Sequence, residues 1–341
     1  MIILKARERE LMEDLRSWLP KKMFDVHVHC RPRCLSDQSL FNWAAKNPGE
    51  TFSYFSWMEH QKITATLFPG FICKFIVFSF VFFPNETKNN FYVRELAKRT
   101  NNIVPVFTAT AESNFLTEIK NNIYNGFKGL KIKIKKKEKQ KIGPTSILDF
   151  YPMKVFELLN SLKSFAIIHL PENIFYDSDE LIFLAREYNN MAFIIAHMGN
   201  SYLYQDGFDI AMEKIVLVPN IFFDTSMVTD EKVIATAVSI LGHKRILYGS
   251  DAPYSYLRGE FNYGKGGKIL FDPEIRLPWV DKKRHQSYRE TADSFTMVHV
   301  DSLMAIKKAL KNTRKDNDQT KTDILRWFQN YLNLANIRTA N

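Results

Sequence analysis

Cysteine is scarce in this chain. Three residues, Cys30, Cys34 and Cys73, give an odd count with no ladder of spacings. That excludes a disulfide framework of the kind that staples small secreted domains, and it points to a reducing compartment. Cys30-x-x-x-Cys34 could be read as a thiolate pair, but two small residues in a first barrel loop is the simpler reading. Long apolar runs are missing too. The most apolar stretch, Phe71 to Phe83, is interrupted by Lys74 and closed by Pro84. It is too short to span a bilayer as a helix and reads as a buried strand. The opening residues, Met1-Ile2-Ile3-Leu4-Lys5 and then Ala6-Arg7-Glu8-Arg9-Glu10, carry charge and neither the apolar region nor the cleavage site of a signal peptide. A soluble, cytoplasmic protein is expected, with no membrane partner.

What is present suits one sizeable globular unit. The chain has 341 residues, 45% hydrophobic and 25% charged, enough apolar material for a single large core. Its 28 phenylalanines read as core filling. The formal net charge of +10 is compatible with an anionic small substrate, an acidic partner or nucleic acid, and equally with a lysine-rich proteome. The lysines from Lys131 through Lys141 would suit phosphate contacts, yet no aromatic interleaving or nucleic-acid motif accompanies them. They read as a solvated loop, and a nucleic-acid partner is not expected.

Residues about 1–20 carry a helical pattern, with Leu4, Leu11, Leu15 and Trp18 on one face and Pro20 as the stop. Strand-like runs then recur at 23–28, 75–83, 103–109, 126–134, 165–169, 191–196, 219–225 and 244–249. Amphipathic helical stretches such as 91–100, 152–163, 178–189 and 229–241 lie between them. Runs such as Phe193-Ile194-Ile195 and Ile221-Phe222-Phe223 read as parallel strands buried on both faces. Eight such strands with intervening helices predict a (β/α)8 TIM barrel at about 22–256 within one domain over 1–341. Residues 31–70 form an aromatic insertion with no clear period. Residues 253–300, with Gly264-Lys265-Gly266-Gly267, are expected to form a long loop serving as wall or lid at the barrel mouth. C-terminal helices are expected at about 301–311 and 322–334.

The chemistry starts at His27-Val28-His29. Two residues apart on a strand share a face, so both imidazoles would be presented together where the strand stops. A divalent metal can take two such ligands. Three more candidates close apolar runs: His169 after Phe165-Ala166-Ile167-Ile168, His197 after Phe193-Ile194-Ile195-Ala196, and Asp251 after Arg245-Ile246-Leu247-Tyr248-Gly249-Ser250. In barrels of this type catalytic residues sit at the C-terminal ends of strands. Five metal-competent or acid–base side chains are thus expected on one rim.

These stretches resemble the amidohydrolase superfamily, in particular the amidohydrolase-related branch that includes aminocarboxymuconate-semialdehyde decarboxylase. The matching residues are Phe24-Asp25-Val26-His27-Val28-His29, Gly126-Phe127-Lys128-Gly129-Leu130-Lys131-Ile132, Ile167-Ile168-His169, Ala196-His197-Met198-Gly199-Asn200 and Leu247-Tyr248-Gly249-Ser250-Asp251-Ala252-Pro253. The resemblance implies His27, His29, His169 and Asp251 as ligands of one divalent metal ion, zinc first, with manganese or iron(II) as alternatives. It also implies Asp251 and His197 as the catalytic pair. Such an ion lowers the pKa of a water from 15.7 to roughly 7, and a nearby carboxylate takes the remaining proton.

Dinuclear members carbamylate a lysine on strand 4, where Lys131 and Lys133 both fall. The branch resembled here implies one metal and an unmodified Lys131 as an anion contact. Where the branch often has His-Pro after this motif, this chain has Lys133-Ile134. Arg31, Arg33 and Arg258 follow ligand-bearing strands and could clamp a carboxylate. The expected function is hydrolysis of an amide, lactone or related carbonyl bond in a small anionic molecule, the alternative being non-oxidative decarboxylation of an enoate or aromatic acid. A metal-dependent nuclease and a catalytically silent binding barrel are further readings, and a homodimer is left open.

Overall fold

The computed structural model describes residues 3–32, 55–80, 86–109, 115–133, 146–259, 261–264, 267–270, 286 and 295–325. The first helix, α1 (Ala6–Trp18), precedes eight strands: β1 (Lys22–His29), β2 (Ile72–Phe78), β3 (Ile103–Thr108), β4 (Gly129–Lys133), β5 (Phe165–His169), β6 (Ala192–Ile195), β7 (Ile221–Asp224) and β8 (Ile246–Leu247). Each pairs in parallel with the next in the order of the chain. The ring closes where the chain beyond β8 meets β1. Val26 N–H donates to the Tyr248 carbonyl at 3.0 Å, Asp251 N–H to that of His27 at 2.8 Å, and His29 N–H to that of Ala252 at 2.8 Å. This is the (β/α)8 barrel that the strand count implies.

Helices cover the outside: α2 (Trp57–Leu67), α3 (Glu86–Arg99), α4 (Phe115–Tyr124), α5 (Met153–Ser161), α6 (Ile174–Glu187), α7 (Phe208–Ile215), α8 (Glu231–Leu241) and α9 (Val298–Asn312), with helical residues again at 318–325. Among the described residues no helix is long and apolar enough to cross a membrane. Alternate residues of the strands fill the barrel, including Val104 and Val106, Phe165 and Ile167, and Ala192 and Ile194. Their neighbours, such as Val77 and Ile168, pack outward under the helices. Each large side chain so buried contributes roughly 1.5–3 kcal/mol. The packed layers therefore support the barrel, and the rim above them is open to chemistry.

Two stretches expected to lack regular structure have it. Within 31–70, α2 begins at Ser56, whose hydroxyl accepts from the Glu59 N–H while Glu59 reaches back to the Ser56 N–H. This capping box marks a helix that the aromatic composition conceals. Within 253–300, β9 (Phe261–Gly264) and β10 (Gly267–Leu270) pair as an antiparallel hairpin, with Gly264 opposite Gly267. An antiparallel bridge between Arg258 and Met297 joins the two ends of this excursion. Of the expected last helix, 326–334 lies outside the described residues, as do Arg33, Cys34, residues 134–145 and the side chain of Lys133.

Candidate metal centre

An irregularity in β1 sets the site. Phe24 and Val26 both point into the apolar barrel layer, and strict alternation would then turn His27 outward. The register with β2 slips between Asp25 and Val28. The Asp25 carboxylate holds that slip, accepting from the N–H of His27 at 3.0 Å and of Ser250 at 2.9 Å. A bulge re-aims a side chain in this way, and here it brings His27 and His29 together with ring centres 5.4 Å apart. Burial pushes the Asp25 carboxyl up to about 7, against the donors from Ser250 and His27 that favour its ionised form. Just beyond β8, Gly249 lets the chain approach: a Cβ there would stand 3.0 Å from that of His27.

Four imidazoles are oriented alike. Nδ1 of His27 lies 2.8 Å from Asp224 Oδ2, that of His29 3.2 Å from the Ser79 carbonyl, that of His169 3.1 Å from the Leu170 carbonyl, and that of His197 3.1 Å from the Ser226 carbonyl. Carbonyls and carboxylates only accept, so each Nδ1 carries the proton and each neutral ring keeps its lone pair on Nε2. Burial keeps His27 neutral, lowering its pKa well below the usual value, and the Lys131 cation adds to this. Burial likewise lowers His197, against the pull of Asp251 and Asp224.

Those lone pairs meet a carboxylate. Asp251 Oδ1 stands 3.0 Å from His29 Nε2 and 3.3 Å from His27 Nε2, and Oδ2 stands 4.0 Å from His197 Nε2. Burial alone would raise the Asp251 pKa; positive charge on His27, His29 and His197 would outweigh it and hold the carboxyl below the carboxylate range, and with those rings neutral a bound cation would supply that charge. Its Oδ1 is buried with no hydrogen-bond partner among the described residues. A buried anionic oxygen facing two nitrogen lone pairs is an unfavourable arrangement that a divalent cation resolves. The donor set therefore fits a metal ion. The atoms of His27, His29 and Asp251 all lie within 4.8 Å of one another. His169 stands beside this group, its ring 5.1 Å from that of His197.

A second compact set, His27, His197 and Asp224, is a support. Asp224 spends Oδ2 on His27, while Oδ1 accepts from the N–H of His197 at 2.9 Å and of Ser226 at 3.1 Å. The Ser226 hydroxyl also bonds Asp224 and lies 2.9 Å from His197 Nδ1. A carboxylate behind a ligating imidazole fixes its tautomer and raises its basicity. Sequence reasoning missed Asp224, although Ile221-Phe222-Phe223-Asp224 ends a strand on an acid just as β8 leads to Asp251.

Lys131 lies inside the site, Nζ 3.3 Å from His27 Nε2 and 4.9 Å above the Phe78 ring centre. Burial lowers its pKa to about 8, against Asp224 and Asp251, which favour the charge. Arg31 is 1% exposed, two residues beyond His29, and its main chain pairs with Phe55. Arg258, expected as a carboxylate clamp, meets a carboxylate of the chain itself. Its guanidinium forks onto Glu8 at 2.7 and 2.9 Å and donates to the Ile3 carbonyl at 2.7 Å. A buried carboxylate with bidentate fit holds the fork, and Arg258 anchors α1 to the base of the excursion after β8. Burial pushes the Cys30 thiol up to about 12, and its Sγ lies 4.0 Å from the Tyr92 hydroxyl.

Aromatic rings border the imidazoles. Phe80 stacks on His29 with centres 5.2 Å apart, and Tyr254 meets the same ring edge-on at 5.7 Å. Tyr202 lies 5.3 Å from His197, and Phe261 of the hairpin stacks on Tyr202 at 4.5 Å.

A family model described as Amidohydrolase matches residues 24–292. No curated protein matches the sequence. Among solved structures the chain is similar to an amidohydrolase from Burkholderia multivorans with bound HEPES (TM-score 0.59, 10% identity, 93% of this chain and 99% of that one). It is also similar to 5-carboxyvanillate decarboxylase from Novosphingobium aromaticivorans complexed with manganese and a nitrobenzoic acid (TM-score 0.56, 13% identity, 92% and 97%). A third is a putative 2-pyrone-4,6-dicarboxylic acid hydrolase from Pseudomonas putida (TM-score 0.52, 11% identity, 94% and 99%). At these identities the likeness is one of fold.

Proposed function

The chain belongs to the amidohydrolase family, and from that premise we propose that it is a metal-dependent hydrolase acting on an amide, lactone or related carbonyl bond of a small anionic molecule. One observation carries the reading: His27, His29 and His197, each with Nδ1 bound to an acceptor, turn their Nε2 edges toward the buried Asp251 carboxylate. We assign His27, His29, His169 and Asp251 as the ligands of one divalent ion. Zinc is the expected ion, since imidazole with carboxylate is its usual donor set in hydrolytic sites. When bound, the ion supplies Lewis acidity, polarising a carbonyl and acidifying a water.

The remaining chemistry belongs to the side chains. Asp251, ionised and buried, accepts a proton from the attacking water. His197, anchored at Nδ1, faces Asp251 with Nε2 and can take up and return that proton at the leaving atom. Asp224 and Ser226 keep both rings in one tautomer throughout. Lys131 and Arg31 are the cations we assign to a substrate carboxylate, and the hairpin with Phe261 supplies one wall that limits water.

Decarboxylation is the second reading. Phe80, Tyr254 and Tyr202 line the imidazoles, surroundings suited to a planar acid, and a similar fold in 5-carboxyvanillate decarboxylase agrees with it. The zinc-loaded and manganese-loaded protein should be incubated with a panel of lactones, amides and aromatic acids, following ring opening or cleavage and carbon dioxide release in parallel. Hydrolysis without carbon dioxide supports the first reading, and carbon dioxide release replaces it with the second. No turnover in either arm with metal bound overturns both for the compounds' class.

A further inference from the structure

The segment after β6 is a left-handed turn. His197, Met198, Gly199 and Asn200 have φ of 64°, 46°, 68° and 60°, and the Ser201 N–H closes the turn on the His197 carbonyl at 3.0 Å. Side chains with a Cβ disfavour this region, and where such backbone persists the surroundings over-determine it. Two contacts do so. A Cβ on Gly199 would lie 2.6 Å from that of Ile174, so the turn is wedged against the start of α6. The other contact is Asn200, a buried amide facing the end of β5.

Asn200 Nδ2 donates to the Leu170 carbonyl at 3.0 Å and to the Glu172 carbonyl at 2.6 Å. Both partners only accept, so the amide can face them in one orientation alone. Its Oδ1 is buried with no partner among the described residues. The group therefore acts as a donor and gives up its acceptor. The Leu170 carbonyl is also the acceptor that fixes His169 Nδ1 at 3.1 Å. One carbonyl thus ties the His169 ring to the turn that begins with His197.

We propose that Asn200 is a positioning residue for the metal centre: its amide bridges the ends of β5 and β6 and sets the His169 ring against His197. This rests on the assignment of His169 as a ligand. Without the bridge, the Leu170 carbonyl can rotate, and the Nε2 edge of His169 turns with it.

The test separates backbone from amide. Asn200→Gly tolerates the left-handed conformation without strain and removes the donor. Asn200→Asp keeps the shape and sets a carboxylate against two carbonyls. Zinc affinity is read by competition with a chromophoric chelator, geometry by the visible spectrum of the cobalt(II) form, and folding by thermal unfolding. Both variants should stay folded, bind zinc about tenfold to a hundredfold more weakly and shift the cobalt spectrum. Parental affinity and spectrum in either folded variant overturn the proposal, and so does failure of both to fold, which would make the amide a requirement of the fold. His169→Ala is the control. If it keeps parental zinc affinity, the ligand assignment fails; if it weakens binding while the Asn200 variants do not, the bridge alone fails.

Discussion

Asp224→Asn is isosteric, yet it should disable the site from behind. The carboxylate receives His27 Nδ1 on Oδ2 and the N–H groups of His197 and Ser226 on Oδ1. An amide can satisfy only one side. With its oxygen toward the two N–H groups, its NH2 faces His27 Nδ1, which must then accept, and the ring proton moves to Nε2. That proton occupies the position of the lone pair a metal needs. With the amide reversed, its NH2 faces two buried N–H donors and leaves them unsatisfied, at about 1–3 kcal/mol each. The first arrangement is less costly, so the His27 tautomer switches. Loss of such support typically lowers metal affinity 10–100-fold, or about 1.4–2.7 kcal/mol, and the upper half is expected here because the tautomer itself inverts. Zinc affinity measured by chelator competition near pH 7.5, with thermal unfolding alongside, reads the effect. An affinity within about threefold of the parent, well inside that range, would refute the reasoning, because His27 would then be binding zinc without Asp224.

Asp251→Asn keeps an oxygen donor but cannot accept a proton, so zinc should stay partly bound while turnover falls by at least about a hundredfold, the low end for loss of a general base; activity within tenfold removes Asp251 from that role. Arg258→Ala leaves the buried Glu8 carboxylate without its main partner, and unfolding in urea should show a loss of about 3 kcal/mol, the low end for breaking a buried pair, with zinc affinity unchanged. A fall in zinc affinity with no loss of stability would place Arg258 in the site. Burial lowers His60 to about 3 and His299 to about 4, the latter pair-bonded to Tyr248 and the former to Tyr256. Both stay neutral in the folded chain while the unfolded chain protonates near 6.5, so stability is full above that pH and falls as pH drops toward 4. The two together should remove about 2.5 kcal/mol between pH 7 and 5.5 in the metal-free protein. His299→Gln should flatten that slope in urea titrations, and an unchanged slope would contradict the assignment.

Much of this arrangement is legible in the residues. Buried β-branched and aromatic runs mark the strands because parallel strands in a barrel are covered on both faces, and β5 lies at Phe165–His169 as read. His27, His29, His197 and Asp251 are visible because each closes such a run, and the ends of barrel strands share one rim. What the sequence hides are the hydrogen bonds behind these groups. Asp25 acts through a bulge, and a register slip leaves no compositional mark. Asn200 acts through a left-handed turn that only His197-Met198-Gly199-Asn200 in three dimensions reveals. Chain position puts Arg258 after β8, whereas its partner, Glu8, comes from a helix 250 residues away. The hairpin of β9 and β10 escapes because its strands are short and Gly264 and Gly267, which pair across it, suggest a loop.

The assignment of one divalent ion to His27, His29, His169 and Asp251 is tested most directly by metal stoichiometry. Protein purified without chelator and dialysed against a small excess of zinc should retain close to one ion per chain by elemental analysis, and His27→Ala or His29→Ala should retain close to none while the barrel stays folded. No retained ion in the parent, or full retention in either variant, would contradict the assignment; two ions per chain would point instead to a dinuclear site bridged through the β4 lysines.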